Sequence, residues 1–152
     1  MDEVLTRLAA TPLAEWMRLS RWGYAGVNTL HVLGIALLVG AIVPLDLRLL
    51  GLRRHIGLAD AASLLQPLAI TGLLLAAISG VLLFLADPHG YAATPLFLLK
   101  LLLVLMAVSN ALALNFGAGL TRASTARLRL LGALSLVLWL LVLCAGRFLA
   151  FV

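Results

Sequence analysis

Three ionisable residues, His31, Lys100 and Arg147, stand inside long apolar runs. An ionisable side chain costs about 2.5 to 3.5 kcal/mol at the centre of a membrane span, so each needs a reason. An imidazole there could be an axial ligand for heme b, a copper ligand, or a proton acceptor beside a quinone. The plainer alternative is a histidine hydrogen-bonded to Asn28 or to a neighbouring helix. Lys100 could hold a heme propionate, a lipid phosphate or a quinone carbonyl, or its four-carbon stem could carry the ammonium up to the headgroups. Arg147 is close enough to Val152 for that second behaviour to be the favoured one.

Counting the helical rise from the ends of the runs puts these groups at similar depths. His31 is about 12 Å in from Gly23, and Lys100 and Arg147 are each about 8 Å in from Pro95 and Val152. His31 shares a helical face with Tyr24, Asn28 and Gly34, a polar and small face that should point inward. Cys144 lies at a similar level, but one thiol and one imidazole make a poor zinc site, and a lone buried cysteine behaves as a small apolar residue. If heme is bound through two histidines, His89 is on the correct side to be the second ligand, whereas His55 is not. No nucleophile–base pair, Gly-rich phosphate loop or His-x-x-x-His metal pair is present, so any enzyme activity would depend on a bound cofactor.

The elements that position these residues follow from composition. Of 152 residues, 64% are hydrophobic and 11% charged, against about 25% charged in a soluble domain. The apolar residues fall in four blocks, at about 23–45, 67–86, 95–117 and 130–152, each near the ~20 residues needed to cross a bilayer. The expected fold is an all-α integral membrane bundle of four up-and-down helices, a single domain over 1–152 in contact with lipid. Short connections predict that consecutive helices are antiparallel neighbours. Asp87-Pro88-His89-Gly90 reads as a tight turn between the second and third spans.

The net charge of +5 has no basic run or stacking motif around it and does not indicate nucleic acid. Arg48, Arg53 and Arg54 lie between Asp46 and Gln66, and Arg122, Arg127 and Arg129 between spans three and four. The positive-inside rule places both segments in the cytoplasm, with the Asp87 turn and both termini on the periplasmic side of a bacterial inner membrane. Thr11-Pro12 predicts an N-cap and first helical residue for a short amphipathic helix through Glu15, Trp16, Met17 and Trp22. It would lie in the interface or run into the first span. A cleaved signal peptide is the weaker reading, because acidic residues precede a block too long for a signal core.

Gly72, Ala76 and Gly80 form a small-residue stripe on the second span, with Ala107 and Ala111 similar on the third. Such stripes let helices approach closely; packing within one bundle is the first expectation and a homodimer or another membrane subunit the second. A second polar group, Asp46, Arg48, Gln66, Asn110 and Asn115, sits toward the cytoplasmic ends. There Asn and Gln should bond across helices and Asp46 should pair with a nearby arginine at the wet interface.

The stretch His31-Val32-Leu33-Gly34 to Gly40, continued by Asp46-Leu47-Arg48-Leu49-Leu50-Gly51, resembles a family of small bacterial four-span membrane proteins of unknown function. Gly146-Arg147-Phe148-Leu149-Ala150-Phe151 is similar to that family's C-terminal glycine-arginine signature. More distantly the chain resembles the membrane domain of copper-resistance protein D and small di-histidine cytochromes b. The resemblance covers nearly the whole chain and implies four spans in a bacterial membrane. It places His31, Asp46, Arg48, Lys100 and Arg147 at family positions. Relatives often carry a histidine where this sequence has Asn115, a departure that weakens a two-histidine heme.

Two functions follow as expectations. One is a redox or metal-handling module for electron transfer, with heme b, quinone or copper in the outer half at His31, Asn28, Tyr24, Lys100 and Arg147, and His31 and His89 as metal ligands. The other is a cofactor-free accessory subunit of a larger membrane complex. A transporter would need inverted repeats or broken helices, and none is visible.

Overall fold

The computed structural model describes residues 2–116 and 123–151. The sequence readings that involve Gly117, Arg122 and Val152 fall outside them. Among the described residues the chain forms seven α-helices and no strand: α1 (Asp2–Ala9), α2 (Pro12–Leu19), α3 (Arg21–Leu50), α4 (Leu58–Ala86), α5 (Pro88–Ala93), α6 (Pro95–Phe116) and α7 (Thr125–Phe148). A 3-10 turn, Leu149–Phe151, follows α7. Helices α3, α4, α6 and α7 are long and apolar enough to cross a bilayer, and the protein is a multi-pass, all-α membrane bundle.

The long helices outrun the expected spans. Pro44 does not end α3, and Pro67 does not begin α4; both lie inside helices. Proline removes one backbone donor and crowds the carbonyl four residues earlier, a loss these helices tolerate near their ends. Much of the segment between Asp46 and Gln66 is therefore helical, leaving Gly51 to Gly57 as the connection. Gly51 adopts the left-handed conformation (φ 107°), and the N–H groups of Gly51 and Leu52 close on the carbonyls of Arg48 and Leu47. This is the Schellman arrangement, and only glycine enters it without strain.

At the opposite end, called here the turn end, Thr11 caps α2 through Ala14 N–H at 3.3 Å, with Pro12 in the first turn, as its sequence predicts. That helix stops at Leu19, so Trp22 belongs to α3. Ser20 leaves the helical region and its hydroxyl accepts from Gly23 N–H at 3.0 Å, capping α3. Ala14 and Met17 are buried, and α2 rests on α4. The Asp87 turn is more structured than expected: Asp87 caps Gly90 N–H at 3.0 Å and starts α5.

Helix α3 is the centre of the bundle, packing along α4 on one side and α7 on the other, while α7 carries α6. The spatial order is thus α4, α3, α7, α6. Among the described residues α4 and α6 have no comparable backbone contact, although they are consecutive spans, because α5 separates their ends. They are bridged near the two ends by Gln66 Nε2 donating to Asn115 Oδ1 (2.7 Å) and by Phe84 stacked on Phe97 (5.5 Å between centroids), and between these Ala69 and Ala107 belong to one buried core.

The small-residue stripe is used inside the bundle. A β-carbon on Gly34 would stand 2.6 Å from the backbone nitrogen of Ala76, and one on Gly72 would meet Leu38 N and stand 2.7 Å from Gly34 O. Without a hydrophobic drive between helices in lipid, this close backbone approach supplies the dispersion contact that holds α3 to α4. Above the loop end, Leu38, Ala41, Ile42, Ala69, Ala107, Leu138 and Trp139 form the buried core.

Candidate functional site

All four long helices contribute to one level toward the turn end. Helix α3 presents His31, and α4 answers with Ser79 and Gly80; a β-carbon at Gly80 would lie 3.1 Å from His31 Cε1, so the glycine makes the slot that the ring fills. Lys100 reaches in from α6 over Gly146 of α7, its Nζ 3.6 Å from where a β-carbon would stand. The ammonium is close enough for its charge to act on the imidazole. Both basic side chains are half-buried. Two glycines thus open space for two basic groups.

The hydrogen-bond network fixes the histidine tautomer. Ser79 Oγ lies 2.5 Å from Leu75 O and 3.3 Å from Ala76 O, so its proton goes back to its own helix. Ser79 Oγ is 3.0 Å from His31 Nδ1, and with its proton already committed it can only accept. The neutral ring therefore carries its proton on Nδ1 and leaves the Nε2 lone pair free, as an acceptor or a ligand. Among the described residues the only ion pair is Glu3–Arg7, so Lys100 has no carboxylate beside it.

Other predicted site residues go elsewhere. Asn28 is exposed on α3 and is not the partner of His31; Ser79, which the sequence reading missed, holds that place. A mid-span serine is too common to stand out before its partner is known. Tyr24 turns to Tyr91 of α5, where burial, Tyr24 and then Asp87 push the Tyr91 phenol above its ordinary range. His89 is exposed, with Nε2 3.4 Å from Thr6 Oγ1 of α1. Arg147 is exposed with its guanidinium 4.8 Å from the Phe151 ring centroid, and Cys144 is exposed, not buried.

The structure does not bring a pair of histidines together for heme b: His31 lies in the Gly80 slot, and His89 lies against α1. No group of three His, Cys, Asp or Glu side chains able to hold a metal ion occurs among the described residues. A lone imidazole next to an ammonium is also a poor cation site, since the two positive charges repel.

A second buried polar group forms toward the loop end, and here the expectation for Asp46 is corrected. Asp46 does not pair with an arginine at a wet interface; it is 2% exposed and faces Ser135 of α7. Arg48, two residues on, is on another face of α3 and donates through Nε to Ile56 O at 2.7 Å. Asn110 of α6 donates to Leu131 O of α7 at 3.0 Å, whereas Asn115 reaches Gln66. The chain matches no protein-family model, no curated protein and no solved structure.

Proposed function

We propose that this protein is a quinone-binding redox module of the bacterial inner membrane, a relative of the small four-span proteins it resembles. The convergence of His31, Ser79–Gly80, Lys100 and Gly146 from four helices carries the reading. An ammonium without a carboxylate donates to a carbonyl oxygen, and a histidine with a free Nε2 accepts from a hydroxyl. A quinone and its quinol present those two groups on an apolar body suited to lipid. The sidedness belongs to the same proposal: the arginines of the loop end favour the cytoplasm, which puts the quinone site in the periplasmic half.

Purified protein in mild detergent should quench its tryptophan fluorescence saturably when a short-tailed quinone analogue is added. Lys100→Met should weaken this at least tenfold, with Arg129→Met, on the exposed side of α7, unchanged. Non-saturable quenching, or equal binding by Lys100→Met, would remove the quinone reading. A reduced-minus-oxidised absorption spectrum run alongside would return the heme reading if it showed a Soret band lost in His31→Ala.

A further inference from the structure

Where α3, α6 and α7 meet toward the loop end, four polar side chains are more than nine-tenths buried: Asp46 (2% exposed), Trp139 (3%), Ser135 (6%) and Asn110 (7%). Asp46 and Asn110 both address the same stretch of α7. The Asp46 backbone oxygen lies 3.4 Å from where a β-carbon on Gly132 would stand, Ser135 is one turn further along, and Leu131 takes the Asn110 amide. Three of their atoms have no hydrogen-bond partner among the described residues: Asp46 Oδ2, Asn110 Oδ1 and Trp139 Nε1. That is two acceptors against one donor, and one of the acceptors belongs to a carboxyl in an apolar core.

We propose that Asp46 is a proton-binding site, held as the neutral acid in the folded bundle at neutral pH. One proton transferred from hydronium to Oδ2, leaving water, removes the buried charge and turns an orphaned acceptor into a donor. The count becomes two donors and one acceptor, and no charge is left in the apolar core. A metal ion suits the group less well, because Ca²⁺ and Mg²⁺ take about six or more oxygens and only three side chains here could offer them. The indole N–H of Trp139 also belongs with an acceptor, not a cation.

No charged group packed around Asp46 among the described residues performs the neutralisation. On α3, Arg48 is held by Ile56 O, and on α4, Asp60 sits at the exposed N-terminus beside Gly57. On α7, Arg127 reaches Ala113 O and Arg129 is exposed; α6 presents Asn110, which does not titrate. The carboxyl is one helical turn from the end of α3 at Leu50, so exchange with water crosses little protein. The site is separate from the His31 level and does not depend on the quinone reading.

The chain has six acidic residues, and Asp2, Glu3, Glu15, Asp60 and Asp87 are all exposed. Infrared spectra of the whole protein in lipid vesicles at pH 7 should therefore show one protonated-carboxyl C=O band. It should shift when aspartate carrying a ¹³C-labelled side-chain carboxyl is incorporated, and vanish in Asp46→Asn. Should that variant fail to fold, the isotope shift in the wild type and a displaced band in Asp46→Glu answer the same question. Absence of the band at pH 7, or its persistence in folded Asp46→Asn, overturns the proposal. So does its loss when sodium chloride replaces choline chloride at fixed pH, which would mark a metal-cation site.

Discussion

His31 is oriented by a hydroxyl whose own proton is committed to Leu75 and Ala76, so the ring has no freedom to exchange tautomers without breaking that bond. Ser79→Ala would remove the hydroxyl that accepts from Nδ1–H and leave the half-buried ring only the Ala76 backbone, at a cost of about 0.5 to 1.5 kcal/mol. We expect that loss in reversible unfolding by sodium dodecyl sulfate in mixed micelles, with a parallel fall in affinity for the quinone analogue. Tyr91 gives the corresponding pH signature. Its phenol is raised above the ordinary value in the folded state, mainly by burial and then by Tyr24. The unfolded chain therefore ionises first, near pH 10, and stability present below that pH is lost as the pH rises through the folded value. Tyr91→Phe should flatten the alkaline limb of a stability-versus-pH curve, and an unchanged limb would mean that another group controls it.

The helices carry their information in small residues. Gly72→Ala drives a β-carbon into backbone atoms of α3, which cannot move aside as a side chain can, and should destabilise by about 1 to 3 kcal/mol. Gly40, on α3 with nothing within 4 Å of a β-carbon, is the control: Gly40→Ala should be neutral or stabilise by about 0.5 to 1 kcal/mol. Equal effects of the two in the same unfolding assay would contradict the α3–α4 crossing. The existence of four spans and the stripe on α4 were legible from apolar runs and four-residue spacing. The depth match of His31 and Lys100 needed only a count of the helical rise. Helix ends were not legible, because Pro44 and Pro67 read as stops and their interior placement depends on tertiary packing. Asp46 was misread because its burial is set by Ser135 and Gly132, some ninety residues away on α7, and no local pattern announces that meeting.

For the whole molecule, the row α4, α3, α7, α6 explains why so few polar contacts serve so many helices: α3 and α7 make the interior, and α4 and α6 face lipid along most of their length. Orientation belongs to this scale. Replacing Arg53, Arg54 and Arg127 with glutamate should give a mixed population of orientations, measured with a C-terminal reporter active on one side of the membrane only. A single orientation in that variant would show that the loop arginines are not what sets it. The two interior prolines act at the same scale. Starting from Leu38 opposite Gly72, six residues along α3 and five back along α4 lead to Pro44 and Pro67, so the two fall at one height. Each deprives a carbonyl four residues earlier, Gly40 and Ser63, of its helical donor. Two missing rungs therefore lie side by side, so the backbone ladder of the hairpin is thinnest at this height, and the segment beyond it, with Asp46 half a turn further on, is held by its packing on α7.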